Sequence, residues 1–77
     1  MRIGKYIENG IGEFIGMNYE NGFVFNGEFG PDRNPLYGEI LNPNGDQIYY
    51  GQITGYIFDY FDEYIKTGKI KQRSKKY

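Results

Sequence analysis

Phe23-Val24-Phe25-Asn26-Gly27-Glu28-Phe29-Gly30-Pro31-Asp32-Arg33-Asn34-Pro35-Leu36-Tyr37-Gly38-Glu39-Ile40-Leu41 decides the fold. Its two ends are rich in aromatic and branched residues, the types that suit a pleated surface. Between them, Gly30–Pro35 is a loop: its two prolines lack an N–H, and Pro35 pushes Asn34 out of helical backbone. The reading is strand, loop, strand. Asn26-Gly27 lies inside the first run and reads as a bulge or kink rather than a turn.

Working outward, the same grammar repeats. Asn21-Gly22 separates Met17–Glu20 from Phe23–Phe29, and Asn9-Gly10 separates Ile3–Ile7 from Ile11–Ile15. Asn-Gly is the dipeptide that best fits a two-residue type I′ turn, so both are expected to be tight hairpins. Asn42-Pro43-Asn44-Gly45-Asp46 joins Leu36–Leu41 to Gln47–Ile53 as a further hairpin. The expected strands are 2–7, 11–19, 23–29, 36–41 and 47–53. The expected fold class is mainly β, with about five antiparallel strands in an open meander or small barrel, closed by one C-terminal amphipathic α-helix.

The period changes at Thr54. Ile57, Phe61, Tyr64 and Ile65 recur at helical spacing, with Asp59, Asp62, Glu63 and Lys66 opposite them. Thr54 suits the N-cap and Gly68 the C-terminal stop, which predicts a helix over about 55–67. Ile57, Phe61 and Ile65 are expected to pack on the sheet. Residues 1–68 then form one small domain, and 69–77 a basic tail that either frays or adds a short strand at 69–72.

Glycine-headed units recur along the strands: Gly4-Lys5-Tyr6, Gly12-Glu13-Phe14, Gly27-Glu28-Phe29, Gly38-Glu39-Ile40 and Gly51-Gln52-Ile53. Phe25-Asn26-Gly27-Glu28-Phe29 runs on to Tyr37-Gly38-Glu39-Ile40 and Gly45. Gly4-Lys5-Tyr6 runs on to Gly10-Ile11-Gly12-Glu13-Phe14 and Gly22, and Tyr49-Tyr50-Gly51-Gln52-Ile53 opens a third unit. Over residues 4–53 this pattern resembles the MORN repeat, a β-hairpin unit. Phe25 stands where the repeat has Tyr, and Leu36 where it has Gly. The resemblance implies stacked antiparallel hairpins and an interaction module, serving as a scaffold or membrane-proximal contact.

The 77 residues allow one small domain that buries about 60–65% of its extended surface. A large enzyme cleft would consume such a core. Cys and His are both absent, which removes disulfides, thiolate chemistry, the commonest general base and the commonest metal ligand. Met1–Lys5 opens without the apolar run of a secretory leader, and no stretch is long enough to span a membrane. The expected location is therefore the cytoplasm. Phe, Tyr, Ile, Asn, Lys and Met supply 40 residues, all with AT-rich codons, which points to a phage, virus, mobile element or low-GC bacterium.

Candidate chemistry is sparse. Asp59, Asp62 and Glu63 share a polar helix face, but a glycosidase-type acid must be buried, and these lie opposite the apolar stripe. Asn42–Asp46 lacks the leading Asp and the distal Glu of a Ca²⁺ loop. Gly10-Ile11-Gly12 is not followed by a helix, so it is no dinucleotide loop. The sequence nominates no catalytic residue, cofactor or metal ligand.

Charge carries more information. Residues 1–64 hold all ten acids and three bases, a net of −7, whereas 65–77 hold six bases and no acid. Such asymmetry points to an interaction surface. The leading expectation is a small binding or inhibitor protein that occludes a larger host protein with a cationic groove, such as a nucleic-acid enzyme. Its contact surface is expected to comprise Glu13, Glu28, Glu39, Asp59, Asp62 and Glu63 with exposed Tyr37 and Tyr49. A third possibility is nucleic-acid binding through the tail, by Lys69, Lys71, Arg73, Lys75 and Lys76.

Overall fold

A computed structural model of the chain describes residues 4–71. Five strands, β1 (Gly4–Glu8), β2 (Phe14–Tyr19), β3 (Val24–Phe29), β4 (Pro35–Leu41) and β5 (Gln47–Gln52), precede one helix, α1 (Ile57–Thr67). The strands pair in sequence order, all antiparallel, as an open meander. The mainly β fold with a C-terminal helix is the one the sequence predicts.

All four hairpin connections are the same five-residue turn. In Asn9–Glu13, Tyr19–Phe23, Gly30–Asn34 and Asn42–Asp46, the first N–H donates to the fifth carbonyl, and the fourth N–H donates back to the first carbonyl, at 2.8–3.2 Å. The fourth residue is left-handed each time: Gly12 (φ 86°), Gly22 (93°), Arg33 (67°) and Gly45 (92°). This is a turn followed by a left-handed bulge residue, not the two-residue type I′ turn expected at Asn9-Gly10 and Asn21-Gly22. The asparagines act through their side chains. Asn9 Oδ1 accepts from the Ile11 and Glu13 amides, and Asn42 Oδ1 from those of Asn44 and Asp46, at 2.9–3.0 Å. Such bonds fix a turn with Asn in ordinary backbone. β2 accordingly starts at Phe14 rather than at residue 11.

Register runs straight through Asn26-Gly27, and the irregularity falls one step later, at Glu28/Phe29. Alternation then assigns the faces. Tyr6, Met17, Phe25, Ile40 and Tyr49 form one cross-strand row, on the face that carries α1. Gly27, Gly38 and Gly51 form the next row on that face. Gly16, Asn26, Glu39 and Tyr50 form a row on the opposite, helix-free face.

The core is aromatic. Phe61 stacks on Phe23 and meets Tyr19 and Phe58 edge-on, while Tyr60 meets Tyr49 edge-on. The helix buries Ile57, Phe58, Tyr60 and Phe61. Ile65, expected in the stripe, is instead 66% exposed. Tyr60 is drawn inward because its hydroxyl accepts the Thr54 amide (2.9 Å) and meets the Thr54 hydroxyl (3.2 Å). This rotation leaves Ile65 on the flank beside Glu20 and Asn21. Thr54 is therefore not the N-cap. Gly55 is left-handed, the helix starts at Ile57, and Tyr56 occupies the cap without a side-chain bond. Gly68 closes the helix as expected, its N–H donating to Tyr64 O at 2.7 Å.

Beyond it, Ile70 packs against the core and the Lys71 amide donates to Glu63 Oε2 at 2.9 Å. Residues 69–71 form no strand. Gln72, Arg73, Lys75 and Lys76 lie outside the described residues, as do Arg2 and Ile3.

Candidate functional site

β3, β4 and β5 place five of the nominated or neighbouring side chains together on the helix-free face. Glu28 is paired with Tyr37, and Glu39 with Tyr50, with Asn26 on its other side. Acid and aromatic thus alternate in both directions: along β4, Tyr37 and Glu39 are two residues apart, and across the strands each tyrosine borders a glutamate. The rings of Tyr37 and Tyr50 meet edge to face, 5.8 Å apart and at 89°. They are 45% and 56% exposed. Asn26 Nδ2 donates to Glu39 Oε2 (3.1 Å), which orients that carboxylate, and Glu28 stays exposed. A tyrosine presents a large apolar area with few rotatable bonds, and a neighbouring carboxylate adds an acceptor for a cation.

The structure divides the remaining acids. Glu13 does not join Glu28 and Glu39, because Gly12 is a left-handed turn residue rather than a strand glycine. It sits in the first turn and accepts from Asn9 Nδ2 at 3.0 Å. Asp59, Asp62 and Glu63 lie on the outer side of α1, across the sheet from Glu28 and Glu39, and share their face with Lys66. The acidic body is therefore two separate faces, not one field. Among the described residues no group of three or more acidic side chains is arranged to hold a metal ion.

Tyr49 is a second correction. It is only 5% exposed, its hydroxyl donates to Gln52 O at 2.6 Å, and its ring lies 5.0 Å from that of Tyr60. It is part of the core, and Tyr50 takes the exposed place. Adjacent residues in a strand point to opposite faces, so Tyr49-Tyr50 had to split. The register that sets Tyr49 beside Ile40, the bond to Gln52 O and the packing on Tyr60 turn Tyr49 inward. Of the basic tail, Lys69 and Lys71 are exposed beside the end of α1, and Arg73, Lys75 and Lys76 fall outside the described residues.

Tyr19 and Asp32 have shifted acidity. Burial pushes the Tyr19 hydroxyl well above the ordinary range, so it stays protonated. Asp32 is held below the usual carboxylate range by the side-chain and backbone donors of Asn34. Among the described residues no helix is long and apolar enough to cross a membrane. Comparison with protein-family models, curated proteins and solved structures finds no match to this chain.

Proposed function

We propose that this chain is a non-enzymatic binding protein whose helix-free sheet face engages a cationic surface of a larger partner. The observation that carries the reading is the alternation of Glu28, Tyr37, Glu39 and Tyr50 across three adjacent strands, β3, β4 and β5. Carboxylates set among tyrosines match a groove that is itself lined with Lys and Arg, such as the groove of a nucleic-acid enzyme. Occupying that groove would exclude the enzyme's own polyanion. With its AT-rich coding, the chain suits a phage or mobile element acting on a host protein in the cytoplasm.

A MORN-like contact module is the second reading, and the aligned row of Gly27, Gly38 and Gly51 favours it. The two readings differ in what they require of the glutamates. Affinity capture from nuclease-treated host lysate, with the wild type and with Glu28→Lys/Glu39→Lys, separates them. The proposal expects a captured partner to be lost from the double variant and retained by Glu13→Lys. Retention by the double variant with loss on Tyr37→Ala would favour the MORN-like contact and overturn the cationic-groove reading.

A further inference from the structure

A cleft of about 310 Å³ opens on the helix-bearing face, between the β3–β4 turn and the start of α1. Its size falls near the lower end of small-molecule sites. Tyr6 and Tyr19 line it from the sheet, Tyr56 and Phe58 from the cap and first turn of α1, and Arg33 from the turn. Among the described residues Arg33 is its one charged lining residue, and no carboxylate lines the cleft.

Arg33 is also where this turn departs from the other three. Its φ of 67° lies in the left-handed region, which the sister turns fill with Gly12, Gly22 and Gly45. A side chain there carries a conformational cost that glycine avoids. The surroundings hold it in place: Tyr6 Oη donates to Arg33 O at 2.8 Å, and the guanidinium lies 5.4 Å from the Phe14 ring centre. The adjacent acid, Asp32, is engaged elsewhere, since its two oxygens accept from the Asn34 amide (3.1 Å) and Asn34 Nδ2 (2.9 Å). Among the described residues no carboxylate pairs with the Arg33 guanidinium. The turn thus presents a guanidinium with no carboxylate in direct contact beside an aromatic cleft.

We propose that this cleft binds a small aromatic anion, a single planar ring bearing one carboxylate or phosphate, with Arg33 pairing the charge and the Tyr56 and Phe58 rings packing the ring. A guanidinium forms bidentate bonds to either anion. A cationic ligand finds no acid among the described lining residues, and a neutral ring would desolvate Arg33 without compensation. The site lies on the layer opposite Glu28 and Tyr37, so it stands apart from the proposed partner surface.

The test is an amide NMR titration of the full chain with phenyl phosphate and with benzoate. Benzyl alcohol supplies the ring without charge, and inorganic phosphate the charge without a ring. The wild type is compared with Arg33→Gly, which keeps the turn conformation of the three sister hairpins. Phenyl phosphate or benzoate is expected to shift the amides of residues 33, 34 and 55–58, and to bind about tenfold more weakly to Arg33→Gly, the loss of one charged pairing. Each control is expected to bind at least about tenfold more weakly than the better aromatic anion. Equal affinity in Arg33→Gly, benzyl alcohol binding as tightly, or unshifted cleft amides at millimolar ligand would each overturn the proposal. The wild-type comparison of ligands decides the matter even if the variant misfolds.

Discussion

Gly27 and Gly38 face each other across β3 and β4 so closely that neither strand has room for a methyl group. A Cβ built on either residue comes within 2.7 Å of the partner's Cα and still closer to a carbonyl oxygen of the facing strand. Both obstacles are backbone, which cannot rotate away.

Gly38→Ala is therefore expected to lower stability by about 1–3 kcal/mol, as overpacking does. Gly10→Ala meets nothing within 4 Å and has no left-handed backbone, so it should be neutral or slightly stabilising. Urea denaturation of the two variants checks the contrast. Equal midpoints would show that the sheet can open at the glycine row.

Phe61 is fully buried among Tyr19, Phe23 and Phe58, whereas Ile65 is largely exposed. Phe61→Ala should cost about 3–5 kcal/mol, which would unfold much of a domain this small. Ile65→Ala should stay within about 0.5 kcal/mol. Thermal melts followed by circular dichroism read both, and a large loss at Ile65 would mean the helix is rotated from the position described.

The Tyr60 hydroxyl is the acceptor for the Thr54 amide in the link between β5 and α1. Tyr60→Phe keeps the ring packed on Tyr49 but orphans that donor. A loss of about 1–3 kcal/mol is expected, with faster hydrogen exchange at the Thr54 amide. Unchanged exchange there would show that water or another group satisfies it.

Arg33→Gly should raise stability, because it relieves a left-handed backbone at the loss of one contact over Phe14. The net gain is expected to be about 0.5–1 kcal/mol, or a melting point several degrees higher for a chain of this size. A lower melting point would show that the guanidinium contributes more to the fold than its backbone costs.

At Asp32 the sign follows from the depressed folded acidity. The bonds from Asn34 stabilise the ionised form, so their contribution is present above the ordinary carboxylate range and is lost as pH falls through the folded value. Carboxyl NMR titration should find Asp32 protonating below the ordinary aspartate range on acidification. Protonation at or above that range would place Asn34 away from the carboxylate in solution.

Residue chemistry alone determined the number of strands, their antiparallel order and the helix that follows. Turn-forming Asn and Gly recur between aromatic runs, and the apolar period changes once, at Thr54. Local sequence also located the C-terminal stop at Gly68, since a left-handed cap is a property of the chain's own backbone. What it left open were choices between equivalent partners. Asn-Gly suits several turns, and the side-chain bonds of Asn9, Asn21 and Asn42, together with the strand register, go with the five-residue form. Tyr49 and Tyr50 are chemically identical neighbours, and strand register with contact to Tyr60 sends Tyr49 inward. Gly12 and Gly38 head similar tripeptides, yet one closes a turn and the other lies against a facing backbone, which separates Glu13 from Glu39. The Arg33 cleft was hidden for the same reason: its lining comes from β1, β2, the third turn and the helix entry, and only tertiary packing brings those segments together.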